Sequence, residues 1–172
     1  MKKIFAIGFV LLGTGLLFLN STIEKPRSYV HESAKATSGS FDKSKLKPES
    51  EWKKILTPAQ YSILREEGTE APFSGSLLSE KRAGTYFSHG CDLPLFRSEA
   101  KYESGTGWPS FWEPISDDSI VLSEDNKLGY SRVEVLDKCG GHLGHVFDDG
   151  PQPTGKRYCM NSEALYFVPD EK

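Results

Sequence analysis

The sequence predicts a mostly β domain of antiparallel strands with one or two short helices at its N-terminal end. Three observations carry that expectation. One clear helix start, Thr57-Pro58-Ala59-Gln60, opens a short helical pattern. Beyond Gly68, apolar residues stop recurring at helical spacing. From there on, short runs of β-branched and aromatic residues alternate with Gly, Pro, Asp and Asn, as strands joined by turns do. The 172 residues suffice for one ordinary domain and a tail, and 37% hydrophobic with 26% charged residues is globular composition. A formal net charge of −3 argues against a protein built to hold nucleic-acid phosphate. Three cysteines are too few, and odd in number, for a disulfide-dense scaffold.

Taken in order, the chain opens with Lys2 and Lys3 before an apolar run over residues 4–19, interrupted only by Gly and Thr14. Basic residues before such a block form a secretory signal or, if uncleaved, a membrane anchor. No cleavage motif of small residues follows, so residues 1–22 stay open between the two. Either implies an exported domain, periplasmic or extracellular, in an oxidising compartment. Residues 23–48 are polar, rich in Ser and Lys, and aperiodic, which reads as a linker. The domain then spans residues 49–172, with order beginning near Trp52. In its first helix Thr57 is the N-cap, Pro58 takes the first turn and Gln60 completes a capping box. Tyr61 and Leu64 should point inward, and Gly68 should end the helix. Residues 84–87, 119–122, 130–135 and 164–168 read as strands.

Reactive side chains crowd into the last third. His142 and His145 stand three residues apart, Asp148 and Asp149 precede Gly150, and Cys159 lies between Arg157 and Asn161. A cysteine nucleophile needs its thiolate stabilised, which cationic and hydrogen-bonding neighbours supply. Its leaving oxygen needs a proton, which an imidazolium or a neutral carboxylic acid supplies. Residue types alone leave alternatives open. Cys159 could be a small buried hydrophobe, and the two histidines a structural pair or half of a metal site.

Longer motifs narrow this. Pro94-Leu95-Phe96, Ser104-Gly105-Thr106-Gly107-Trp108-Pro109-Ser110-Phe111, His142-Leu143-Gly144-His145-Val146-Phe147, Asp149-Gly150-Pro151, Pro153-Thr154-Gly155 and Arg157-Tyr158-Cys159-Met160-Asn161 occur in that order. Over residues 52–168 the chain resembles the B-type methionine sulfoxide reductases. The resemblance implies two antiparallel sheets with N-terminal helices, and an enzyme that reduces the R epimer of methionine sulfoxide in proteins. Cys159 matches the attacking cysteine, which would become a sulfenic acid as methionine is released. His145 and Asn161 match residues that line the site and help the oxygen take a proton. Trp108 matches the aromatic wall that receives the ε-methyl group. His142, Asp149 and Arg157 match further members of the site, and Glu134 is an added candidate for a proton relay. Core packing for Trp108, a turn for Asp149 and a solvated strand face for Glu134 are the ordinary alternatives.

Two departures from the family pattern matter. Many members hold a structural zinc with two C-x-x-C pairs, but here Ser88 and Leu136 stand where two of the four cysteines would be. His89 is the one candidate for a further ligand. No cofactor is therefore expected, and Cys91 and Cys139 are expected to form a structural disulfide in place of the metal. Thr106 occupies the usual position of a resolving cysteine, and a hydroxyl cannot attack a sulfenic acid. Reduction would then fall to an external thiol or a thioredoxin-like partner. The competing readings are a catalytically silent exported binding module of the same fold, and a thiol-based redox sensor, which would have no use for Trp108.

Overall fold

Two short helices precede nine strands in the structure, a computed structural model describing residues 39–171. The expected signal or anchor, and residues 23–38 of the expected linker, lie outside the described residues. Helix α1 spans Glu49–Ile55 and α2 spans Pro58–Glu66. The strands are β1 Gly84–Ser88, β2 Pro94–Arg97, β3 Lys101–Tyr102, β4 Ser110–Phe111, β5 Val121–Asp125, β6 Arg132–Leu136, β7 His142–Phe147, β8 Arg157–Met160 and β9 Leu165–Pro169. They form two antiparallel sheets, one of three strands in the order β2-β1-β9 and one of six in the order β3-β4-β8-β7-β6-β5. This is the mostly β architecture of two sheets and short N-terminal helices that the sequence led us to expect.

Helix α1 carries Glu49 and Glu51 in its first turn and Lys53 and Lys54 in its last, which suits the helix dipole. Its Trp52 is buried at 1% exposure under the Arg65 guanidinium of α2, and Arg65 also pairs with Glu49 at 2.6 Å. Helix α2 has the capping box read from the sequence. Gln60 N–H donates to Thr57 Oγ1 at 3.2 Å and Thr57 N–H donates to Gln60 Oε1 at 3.0 Å. Its end differs slightly from expectation. Glu67, not Gly68, takes the left-handed conformation with φ of 55°. Gly68 is still required, because a Cβ there would sit 2.9 Å from the Ser62 carbonyl oxygen. Leu64 is buried as expected, whereas Tyr61 is half-buried and turns its hydroxyl to Glu49 at 3.1 Å.

The two sheets meet over aromatic side chains. Phe96 of β2 stacks on Phe111 of β4 at 4.4 Å, and Tyr86 of β1 packs edge-on against Phe111 at 4.9 Å. All three are fully buried, and each such side chain contributes about 1.5–3 kcal/mol through apolar burial. Leu95, Leu143, Met160 and Val135 complete this core. The last residues of the expected linker lie against the domain, where Gly39 N–H bonds to Ile120 O and Asp42 N–H to Lys138 O, at 3.0 and 2.8 Å.

Cys91 and Cys139 form the expected disulfide, with Cα atoms 5.6 Å apart. It joins the β1–β2 loop of the smaller sheet to the β6–β7 turn of the larger. Beside it Asp137, fully buried, accepts hydrogen bonds from the Ser88 hydroxyl at 2.5 Å, Cys139 N–H at 2.9 Å and Gly141 N–H at 2.7 Å. Burial pushes this carboxyl up, against those three bonds. Ligand-type atoms of Cys91, Asp137 and Cys139 lie within 4.8 Å of one another. In this state the set does not fit a tetrahedral zinc: both sulfurs are joined covalently, the carboxylate is already taken up, and Ser88 serves as the hydrogen-bond donor. Among the described residues, no helix is long and apolar enough to cross a membrane.

Candidate active site

Register alone assembles one row of side chains across the larger sheet. Tyr102 pairs with Ser110, Ser110 with Cys159, Cys159 with His145, His145 with Glu134, and Glu134 with Ser123. Directly opposed residues share a face, so these six side chains lie along one side of the sheet. Arg157 and Phe147, opposed to each other one pleat away, join the same side.

His142 belongs to this side only because β7 carries a bulge. In a regular strand residues three apart face opposite ways. Here Val135 opposes Gly144 while Leu136 opposes His142, which leaves Leu143 as an extra residue. The His142 and His145 rings consequently meet edge to face at 5.3 Å. His142 Nδ1 contacts Glu134 Oε1 at 2.6 Å. Gly144 between them is dictated by space, since a Cβ would lie 2.1 Å from the Cys159 carbonyl oxygen.

The electrostatics divide the roles. His145 Nε2 lies 2.8 Å from Asp125 Oδ2. Asp125 is held at about 2 by the Lys127 N–H, His145 and Arg132, so it is ionised and the Nε2 proton points to it. Burial pushes His145 down, against the Asp125 bond, so near neutral pH the imidazole is uncharged with its lone pair on Nδ1. Burial also pushes the half-buried Cys159 thiol up, against the Thr106 hydroxyl and the Arg157 guanidinium, so the resting sulfur is protonated. Arg157 is fixed from two sides. Its Nε and Nη2 donate to the two carboxylate oxygens of Asp149, both at 2.8 Å, and its guanidinium lies 4.3 Å from the Phe147 ring centre.

Trp108 and Asn161 are tied to one loop residue, Glu70. Trp108 Nε1 donates to Glu70 O at 3.2 Å, and Asn161 Oδ1 accepts from Glu70 N–H at 3.1 Å. Asn161 Nδ2 donates to Leu143 O at 3.1 Å. The Glu70 carboxylate accepts from the N–H groups of Ser162 and Glu163, at 2.8 and 3.1 Å, holding the short helical turn after β8. The outcome is a cleft of about 140 Å³ lined by Thr69, Trp108, Arg132, Gly144, His145, Phe147, Cys159 and Asn161. It offers one nucleophile, one uncharged imidazole, a guanidinium and an indole wall.

Of the sequence-read residues, Cys159, His145, Asn161 and Trp108 line this cleft. His142 and Glu134 are buried together behind His145, and Arg157 and Asp149 form a pair flanking Cys159. Asp125, Arg132, Glu70 and Phe147 were not read as site residues. Asp125 and Arg132 are a cross-strand pair around the turn at residues 126–131, so a carboxylate and a guanidinium flanking Asn126-Lys127-Leu128-Gly129 was the available signal. Glu70 carried no local signal.

A family model described as the SelR domain matches residues 56–169. Among curated proteins, the peptide methionine sulfoxide reductase MsrB of Methanosarcina barkeri is 55% identical over 127 residues, covering 73% of this chain and 89% of that protein. The Leptospira interrogans protein of the same name is 53% identical over 122 residues, covering 70% and 93%. The mitochondrial methionine-R-sulfoxide reductase B2 of Rattus norvegicus is 52% identical over 148 residues, covering 81% and 85%. With the SelR domain matched across the two sheets and identity above one half over nearly the whole of these relatives, the chain belongs to the MsrB family of methionine sulfoxide reductases and is an oxidoreductase.

Proposed function

We propose that the protein reduces the R epimer of methionine sulfoxide in proteins and peptides, with Cys159 as nucleophile. The observation that carries this reading is the register pairing of Cys159 with His145 on adjacent strands, beside an indole wall in one cleft. The sulfoxide methyl group would pack against Trp108. As the thiol loses its proton, the thiolate attacks the sulfoxide sulfur, stabilised by Arg157. His145 Nδ1 is the basic site able to take that proton and pass it to the sulfoxide oxygen, with Asp125 holding the ring by its other nitrogen. Oxygen passes to Cys159, the substrate sulfur gains two electrons, and methionine leaves with Cys159 as sulfenic acid. Two equivalents of an external thiol, or one dithiol of a thioredoxin-like partner, then return the cysteine to thiol and release water and a disulfide. Asn161 and His142 serve as positioning groups, the first through the Glu70 loop and the second through Glu134.

Export to a periplasmic or extracellular setting is part of the same proposal. It is supported by Lys2-Lys3 ahead of the apolar run at residues 4–19 and by a disulfide of a kind that persists under oxidising conditions.

The decisive experiment supplies separate R and S sulfoxides of a blocked methionine with a thiol reductant. The parent should consume only the R epimer and Cys159→Ser should consume neither. Equal rates on both epimers, or turnover by the Ser variant, would remove the assignment.

A further inference from the structure

Three hydroxyls in and beside the β3–β4 segment form a chain that ends on Cys159. Thr106 Oγ1 lies 3.8 Å from Cys159 Sγ, Ser104 Oγ 2.8 Å from Thr106 Oγ1, and Ser110 Oγ 2.7 Å from Ser104 Oγ. Ser110 in turn donates to the Trp108 carbonyl at 3.1 Å. Each hydroxyl has one proton, so the chain has a direction. A carbonyl only accepts, so beside a protonated thiol the Ser110 proton goes to Trp108. Ser104 is then the donor to Ser110, and Thr106 the donor to Ser104. Thr106 is left facing Cys159 with a lone pair. That is a partner for S–H, and for the O–H of a sulfenic acid, but not for a thiolate, which only accepts. Ser110 is fully buried, so water cannot replace its partners.

We propose, on the basis of the assignment of Cys159 as nucleophile, that Ser104 is a positioning residue: it polarises the Thr106 hydroxyl away from Cys159 and so favours the proton-bearing states of that sulfur, thiol before reaction and sulfenic acid after it. Thiolate formation reverses the chain. The thiol proton leaves, Thr106 turns its proton to sulfur, Ser104 turns to Thr106, Ser110 turns to Ser104, and the Trp108 carbonyl loses its hydroxyl donor. Thr106, standing where a resolving thiol would otherwise be, thereby holds the sulfenic acid for an external reductant. The charged and titratable groups near Cys159 are Arg157 with its partner Asp149, Arg132 in the same cleft, His145 on the neighbouring strand β7, and Tyr102 two strands away, and the Ser110 hydroxyl also reaches the sulfur. All of them are retained in the variants below.

The test is the pH dependence of Cys159 alkylation by iodoacetamide. Cys159 is the one free thiol, and the readout needs no sulfoxide, so it stands or falls separately from the reductase assignment. Ser104→Ala frees the Thr106 proton for the thiolate while Ser110 keeps Trp108. The alkylation midpoint should fall by roughly half to one pH unit, the worth of one neutral hydrogen bond no longer lost. Thr106→Val removes the donor to the thiolate, and its midpoint should rise above the parent's. Because Ser104 acts through Thr106, adding Ser104→Ala to Thr106→Val should change nothing further, and Ser104→Thr should restore the parent profile. A midpoint unmoved or raised in Ser104→Ala, or a further shift in the double variant, overturns the proposal.

Discussion

At the residue scale, the imidazole of His145 depends on a carboxylate that contributes in two ways. Asp125 orients the ring through Nε2 and pairs with Arg132 across the β5–β6 hairpin. Asp125→Asn keeps the shape but can present its amide nitrogen to His145 and strips the negative partner from Arg132. Reduction of R-sulfoxide should fall by about 10–100-fold in kcat with KM little changed, since the residue touches no substrate. The same substitution has a pH signature with a defined sign. The folded value of Asp125 is about 2, below its ordinary 3.8. A depressed carboxylate stabilises the fold above its unfolded value, and that stabilisation is lost as pH falls towards the folded one. The stability gap between parent and Asp125→Asn should therefore be constant from neutral pH down to about 4, then close between about 4 and 2. Urea unfolding at pH 7, 5 and 3 would measure it, and a gap that widens on acidification would contradict the placement of the charge.

At the scale of elements, the strands that build the site were the least legible. The α2 start was readable because Thr57, Pro58 and Gln60 each answer a local backbone need. Strands β1, β6 and β9 were readable within two residues, and β5 within three, from β-branched and aromatic runs. Strands β7 and β8, His-Leu-Gly-His-Val-Phe and Arg-Tyr-Cys-Met, mix strand formers with residues of little strand preference, so their reactive side chains drew attention while their strand character did not. The bulge at Leu143 was unreadable, because it is defined by pairing with β6 and not by local composition. It is nonetheless what brings His142 beside His145. Gly144 sits at the bulge, with its Cα side closed by the Cys159 carbonyl. Gly144→Ala must push β7 from β8 and should destabilise the fold by about 3 kcal/mol or more, as overpacking into rigid backbone does. Alkylation of Cys159 under native conditions should become faster as its strand loosens. An Ala variant with parental stability would mean the two strands have freedom that the structure denies them.

At the scale of the whole molecule, the domain is closed by a staple that does not line the cleft. The Cys91–Cys139 bridge closes a loop of 48 residues and links the two sheets, with both cysteines at 4% exposure or less. Arg65 of α2 donates to the Gly140 carbonyl at 3.1 Å, so the same turn also anchors the helices. For a loop of this length the chain-entropy account gives roughly 4 kcal/mol, an upper figure where the reduced chain keeps residual order. Replacing both cysteines by Ala should lower stability by about 2–4 kcal/mol, or about 10 °C in Tm for a domain of this size. Below its own melting range the double variant should keep R-sulfoxide turnover with a small external thiol, because Cys159 is then still served by its own neighbours. The bridge could matter in a second way, if one of its sulfurs travelled to the sulfenic acid on Cys159. Burial of both sulfurs, the placement of the bridge at the β1–β2 and β6–β7 turns, and the hydroxyl of Thr106 as neighbour of Cys159 all oppose that route. Peptide mapping without reductant after a single turnover separates the two. A sulfenic acid trapped on Cys159 with the Cys91–Cys139 peptide intact is the expected result, and a peptide joining Cys159 to either partner would make the bridge part of the catalytic cycle.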